Sequence, residues 1–288
     1  MKKIVLAALL LSVFLSGCTF LGGGSSGSGT ASGVIIKSFG PDISEVYPGD
    51  DVVFTATVEN VGGEDATAVT AKLYGLGSDW GFTSGYQSST RELVRTQADM
   101  TGGADEFVWT ATAPTGLKTD QTYTAMTRVK YAYTTTAMAT IKVYNSEYLR
   151  TRPEEASTVT KSSGIGSFSV TAAPLTISLS GVARPIIFRD SGQTYTVSAL
   201  ISNVGQGYPF RSEENDMGIT ISSMTVAGSA CSGIPADVRL PRGGTKSFSC
   251  TFTVPDVSEY TTLPVEVEVT YNYFVDSSAM VTVLAEVV

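Results

Sequence analysis

The chain alternates between apolar and polar positions. From Val52 to Val58 every second residue is apolar (Val52, Phe54, Ala56, Val58), and Tyr195, Val197, Ala199 and Ile201 repeat the pattern in the second half. Period two with one apolar face predicts half-buried β-strands. Each run opens after a glycine (Gly49-Asp50-Asp51 and Gly192-Gln193-Thr194) and ends in Asn-Val-Gly, residues 60–62 and 203–205. Asn and Gly tolerate the backbone angles of a turn. A second match sets Phe107, Trp109, Ala111, Ala113 and Pro114 against Phe248, Cys250, Phe252, Val254 and Pro255. A third sets Tyr131-Ala132-Tyr133 against Tyr271-Asn272-Tyr273. Each is followed by Ala-Met (Ala137-Met138, Ala279-Met280) and a closing strand, Ala139 to Tyr144 and Val281 to Val288. Three matched blocks in one order predict an all-β chain built as two homologous antiparallel β-sandwich domains of about seven strands each.

The N-terminus adds an address. Lys2 and Lys3 precede an apolar stretch from Ile4 to about Leu15, followed by Ser16-Gly17-Cys18. A basic start, a short apolar core and small residues at a cut site describe an export signal. A bilayer-spanning helix needs about 20 apolar residues, so this stretch is too short to be one. Leu15-Ser16-Gly17-Cys18 resembles the lipobox of prokaryotic lipoproteins, which implies lipid on the Cys18 thiol and loss of residues 1–17. Residues 18–32 are rich in Gly and Ser, cannot bury a core and read as a flexible tether. The first sandwich is placed at 33–145, a polar connector at 146–166 and the second sandwich at 167–288. The stretch Ser167 to Pro174 suits either the end of the first domain or the start of the second.

Gly-Asp before a strand ending in Asn-Val-Gly, a later strand ending in Pro and a Tyr-rich penultimate strand resemble CARDB-type immunoglobulin-like domains. Such domains occur in tandem on archaeal and bacterial surface proteins. The resemblance covers most of the chain after Gly33. It implies an adhesion-related or scaffolding module and supplies no catalytic residue to carry over. The second copy departs from the first at Gln206 to Met217, a longer loop than Gly63 to Ala66.

Charge and chemistry narrow the function further. The 288-residue chain carries a net charge of −8 and no histidine. An acidic body without basic clusters argues against nucleic acid and against electrostatic docking on anionic lipid. Without histidine, the commonest general base and metal ligand is missing. No nucleophile motif stands out, so the expectation is a protein that is not an enzyme and needs no cofactor or metal. Cys231 and Cys250 form an even pair in an exported chain and are expected to be a disulfide. Trp80, Phe82 and Tyr86 lie in a Gly/Ser-rich loop, and Tyr208 and Phe210 in the long loop of the second copy. These aromatics either stack on a protein or glycan partner or fold back to cap the sandwich ends. Glu213, Glu214 and Asp216 read as a solvated acidic loop in preference to a calcium site.

These features point to an extracytoplasmic, membrane-anchored surface lipoprotein acting as an adhesion or envelope-scaffold module. Two alternatives stand beside it. One is a self-assembling surface-layer or filament subunit, motivated by the Val-rich terminus from Val281 to Val288. The other is a lipoprotein that binds and presents a ligand.

Overall fold

The computed structural model describes residues 33–83, 85–90, 92–240 and 244–286; Cys18, the signal and the tether lie outside them. The described chain is all-β. The first repeat carries β1 (Val34–Pro41), β2 (Glu45–Val46), β3 (Asp51–Asn60), β4 (Thr67–Tyr74), β5 (Gly81–Phe82), β6 (Gln87–Ser88), β7 (Ala104–Thr112) and β8 (Gln121–Asn145). Two short helices, α1 (Ser146–Arg150) and α2 (Pro153–Val159), fill the connector, the first capped by the Asn145 side chain, which accepts from the Glu147 and Tyr148 amides. The second repeat carries β9 (Ile165–Val170), β10 (Leu175–Ser180), β11 (Ile186–Phe188), β12 (Thr194–Asn203) and β13 (Tyr208–Phe210). It continues with β14 (Gly218–Val226), β15 (Ser229–Ala230), β16 (Asp237–Arg239), β17 (Thr245–Thr253) and β18 (Tyr260–Val283). Among the described residues no helix is long and apolar enough to cross a membrane.

The alternating runs become strands β3, β7, β12 and β17 with the expected faces inward: Val52, Phe54, Ala56 and Val58 are buried, as are Val197, Ala199 and Ile201. β1-β3-β7-β5 form one sheet and β10-β12-β17 a second. The third is an 11-stranded sheet through β15-β14-β18-β8-β4-β6, onto which β2, β9, β11, β13 and β16 also pair. Alternate residues of all three sheets meet in one apolar core.

The long strands organise everything else. Each Tyr block and its closing strand are expected as two strands, and they form one. Thr134-Thr135-Thr136 in one copy and Phe274-Val275-Asp276-Ser277-Ser278 in the other hold no Gly, Pro or Asn. β-Branched residues favour extension at Thr134-Thr135-Thr136, whereas Asp276-Ser277-Ser278 are turn-prone and are held extended by the ladder, where Asp276 accepts from Arg128. β8 and β18 then pair antiparallel from Gln121↔Val283 to Tyr144↔Tyr260. The ladder is centred on Ala132↔Asn272, so Tyr131 faces Tyr273 and Tyr133 faces Tyr271. The first half of β8 is flanked by β4 and by the second half of β18. Its second half is flanked by the first half of β18, by β9 and by β11. In mirror fashion β18 is flanked by β14, β13 and, at Thr282–Val283, by β2. The closing segment of each repeat therefore lies among strands of the other. Ser167 to Pro174 belongs to this exchange, since β9 pairs with β8 at Ala137–Ile141. The Ala-Met match is displaced by two residues in the ladder: by its symmetry Met138 corresponds to Ser278 and Met280 to Thr140. A two-residue shift keeps each side chain on its face, which is why the sequences still align.

The Asn-Val-Gly turns dock on the tyrosines of the long strands. Asn60 donates from Nδ2 to the carbonyls of Glu64 and Leu93 (both 2.8 Å), and its Oδ1 accepts from the Gly62 amide at 3.0 Å. Asn203 repeats this with the Gly207 carbonyl (2.9 Å) and the Gly205 amide (3.2 Å), and its Oδ1 also accepts from the Tyr273 hydroxyl at 2.8 Å. Tyr133 Oη accepts from the Glu64 amide, and Tyr273 Oη from the Gly207 amide. A Cβ on Gly62 would sit 1.9 Å from Tyr133 Oη, and one on Gly205 2.4 Å from Tyr273 Oη. These two glycines are required by close approach. Burial pushes the Tyr133 and Tyr273 phenols up to about 12.

Cys231 and Cys250 form the expected disulfide, with Cα atoms 5.4 Å apart and a sequence separation of 19. It ties the segment after β15 to the buried face of β17, where Cys250 is fully enclosed. In the first repeat Trp109 occupies the matching place, stacked on Phe107 at 6.2 Å.

Two expectations follow. Gly62→Ala lowers stability by ~1–3 kcal/mol through overpacking, and adding Tyr133→Phe recovers part of the loss; thermal melts of the single and double variants check it, and an unchanged melt for Gly62→Ala contradicts the contact. Replacing both Cys231 and Cys250 with Ala costs about 3 kcal/mol, read as a lower denaturant midpoint with a steeper slope, because the unfolded chain is no longer cross-linked.

Candidate interaction surface

The outer face of the shared sheet gathers the polar and aromatic side chains that the core does not use. Arg128, on β8, is its hub. It donates from Nε and Nη2 to both carboxylate oxygens of Asp276 on β18, at 2.7 and 2.8 Å. Its Nη1 is in close contact with Glu214, and its guanidinium lies 3.9 Å from the Phe274 ring centroid. Lys72 and Lys130 approach the same Glu214 carboxylate at 3.9 and 3.3 Å. Both ammonium groups also sit over the Tyr86 ring, at 4.8 and 3.5 Å from its centroid. The Tyr86 hydroxyl donates to Glu214. Lys72, Arg128 and Lys130 thus meet Glu214 and Asp276, with Glu213 lining the same hollow as Lys130, in a charge-dense, aromatic patch.

Glu214 reaches this site because the second copy carries an insertion. By ladder position β13 and β14 together correspond to β4: Phe210 pairs with Asn272 where Thr67 pairs with Ala132. The long loop of the second copy is therefore strand at Tyr208–Phe210, and the inserted residues are Arg211 to Met217. Arg211 closes the insertion at its root, donating from Nε and Nη2 to Asp216 at 3.0 Å each and pairing with Asp237 at 2.9 Å. The Asn272 amide donates to the Arg211 carbonyl. The acidic loop is thus engaged in contacts with first-repeat side chains, and not solvated throughout as the sequence suggested. Partial burial works against the Glu214 carboxylate, but hydrogen bonds from Tyr86 and Arg128 and the nearby Arg128 and Lys72 charges prevail and hold its pKa near 2. Among the described residues no group of three or more His, Cys, Asp or Glu is placed to hold a metal ion.

The aromatic candidates divide. Trp80 is 4% exposed and packs edge-on against Phe54 and Tyr123, at 6.3 and 5.4 Å. It belongs to the core and leaves the partner-binding set. Tyr123 donates to Asp79 at 2.9 Å and so helps draw this turn inward. Phe82 is half-buried on β5 against β7. Phe210 is buried and Tyr208 half-buried, and both lie on Phe274, at 6.0 and 5.2 Å. Tyr86 alone of these five is exposed (37%). Tyr208 and Phe210 thus gather on Phe274 beside Arg128, and Tyr86 joins them through Glu214, across the two repeats. Lys72, Arg128 and Lys130 were missed from sequence. Their signal was present in Arg128-x-Lys130, two cations on the polar face of one alternating strand.

No family model matches the chain, and no curated protein does. Solved structures give weak likenesses. A transglutaminase from red sea bream is 12% identical, covering 90% of this chain and 32% of that one, with a TM-score of 0.22. The secreted serine protease VesC from Vibrio cholerae is 10% identical, covering 85% and 50%, with a TM-score of 0.21. The CupB6 tip adhesin from Pseudomonas aeruginosa is 8% identical, covering 88% and 95%, with a TM-score of 0.15. Scores this low assign neither fold family nor activity.

The Glu214 cluster sets a pH dependence with a definite sign. Its folded pKa is depressed, so its contribution to stability is complete above the ordinary glutamate range and fades as pH falls from there towards about 2. Glu214→Gln is expected to lower stability at neutral pH and to lose that deficit as pH approaches 2, checked by denaturant titrations of both proteins from pH 6 to pH 2. A deficit that stays constant across this range contradicts the assignment.

Proposed function

We propose that the protein is a non-enzymatic cell-surface lipoprotein whose two interlocked Ig-like sandwiches act as an adhesion or envelope-scaffold module. The observation that carries the reading is the Cys231–Cys250 disulfide, in a chain whose Leu15-Ser16-Gly17-Cys18 resembles a lipobox. A disulfide of this kind persists in oxidising, extracytoplasmic surroundings. The two sandwiches correspond to residues 33–145 and 167–288, with their closing strands exchanged, as in the CARDB-type resemblance but for that exchange. Lipid on Cys18 anchors the body, and residues 18–32 hold it away from the membrane.

The exposed Tyr86 ring, backed by Lys72 and Lys130, is the surface offered to a protein or glycan partner. Phe210 and Tyr208 support it from behind through Phe274 and Arg128. Thr282 and Val283 are paired on both sides, with β8 and β2, and the Leu284 and Glu286 amides donate to Val46 and Leu117, so a filament would have to use another edge than these residues.

Protease treatment of intact cells, followed by intact mass measurement of the protein from native membranes, tests this reading. The expected result is loss of the body from intact cells and, without protease, a species starting at Cys18 with added lipid mass. Protection of the body in intact cells, or a species retaining Met1, contradicts it.

A further inference from the structure

The two halves of the shared sheet differ at one edge. On β8, the edge from Thr136 to Ile141 is covered: β9 pairs with it, and the Thr171 amide donates to the Thr136 carbonyl at 2.9 Å. The ladder symmetry maps this edge onto Asp276 to Val281 of β18, and among the described residues no strand pairs with β18 between β13 at Phe274 and β2 at Thr282. The Thr282 amide points away from β8, to the Ser44 carbonyl. Strand geometry repeats every two residues, so the backbone groups of Met280, Ser278 and Asp276 point the same way, out of the open edge. Burial registers the difference. Ala137 and Ala139 are 0% and 5% exposed under β9, whereas Ser277 and Ala279 at the corresponding places are only partly buried. Behind the open edge is a cavity of about 360 Å³ lined by Val34, Ile36, Tyr131, Tyr273, Val275 and Ser277 among others. On the covered side Phe168 and Val170 of β9 pack against the core.

Among the described residues no strand matches β9 at this edge. β10 and β1 correspond, because Leu175 pairs with Asn203 as Val34 pairs with Asn60. The residues standing before Val34 where Phe168 and Val170 stand before Leu175 are Gly27 and Gly29. Glycine has no side chain to fill the cavity and is unfavourable in strands. A second copy is also a poor occupant, since its β9 is engaged with its own β8 and it brings a further net charge of −8. We infer that the Asp276–Met280 edge of β18 is a strand-acceptor site for a partner protein, taking an extended segment antiparallel to β18. The segment carries an aromatic and a β-branched residue two positions apart and is neutral or basic. Main-chain hydrogen bonds then give affinity and the cavity gives side-chain selectivity.

This inference rests on the reading of the protein as a surface binding module but fails separately from it, because surface exposure is measured on cells and the edge is measured on the pure protein. The probe is a peptide copying Gly164–Thr171, added to the full chain, with hydrogen exchange followed at Asp276, Ser278 and Met280. The expected result is saturable one-to-one binding and at least tenfold slower exchange at those amides. A peptide with Phe168→Ser and Val170→Ser binds at least tenfold more weakly. Ser278→Pro in the protein removes an outward N–H that the β8 ladder does not use. It weakens peptide binding at least tenfold and leaves the melting temperature within a degree or two. Equal binding of both peptides, or no protection at these amides, overturns the inference. So does protection already present in the free protein: independence of concentration then identifies an occupant from the same chain, and dependence on concentration a second copy.

Discussion

The β8–β18 ladder is the constraint on which the rest of the structure depends. It pairs Gln121–Tyr144 with Tyr260–Val283, joining strands from the two repeats along their whole length. Each half of each strand has different flanking partners, so neither repeat has a complete outer sheet without the other. Val265, Val267 and Val269 of β18 and Ile141 and Val143 of β8 are buried along this seam. A side chain of that size contributes ~1.5–3 kcal/mol when fully buried. The four tyrosines at the centre of the ladder extend the constraint outward. Tyr131 and Tyr273 lie 5.8 Å apart and Tyr133 and Tyr271 6.3 Å apart. Tyr133 and Tyr273 in turn hold the Asn-Val-Gly turns that lead out of β3 and β12. The repeated motif and the shared sheet are thus one arrangement.

Much of this was legible in the sequence, and the limits have physical causes. Period-two runs identified β3, β7, β12 and β17 with the correct inward faces, because a strand buried on one side must alternate. Asn60-Val61-Gly62 identified a turn but not the tyrosine hydroxyl against which Gly62 fits, since that contact joins residues far apart in the chain. The separate closing strands were the main departure. The tandem-domain reading separates each Tyr block from its closing strand, yet Thr134-Thr135-Thr136 favours extension and contains nothing to bend the chain. Trp80 illustrates a different limit. Its Gly/Ser surroundings suggested an exposed loop, but the turn folds inward and the indole fills space between Phe54 and Tyr123. The charges of Glu214 and Asp216 were visible, while their partners were not, because Lys72, Arg128 and Lys130 lie in the other repeat.

The same exchange shapes the surfaces open to a partner. It brings Tyr86 of the first repeat beside Glu214 of the second and creates a charge-dense, aromatic patch that neither repeat contains alone. It also creates two related edges, one on β8 that β9 covers and one on β18 that the described residues leave open. A module of this kind makes contact through a stacked ring on the outer face and backbone groups along an edge. Both are held at fixed separation because the halves share one sheet.

The most direct measurement of the shared sheet is to place a protease site between Thr160 and Gly164, in the connector, and to weigh the cut protein under native conditions by light scattering on a sizing column. If the strands are exchanged as described, the two fragments stay together as one particle of the uncut mass and separate only in denaturant. Two independently folded fragments eluting apart would contradict the account.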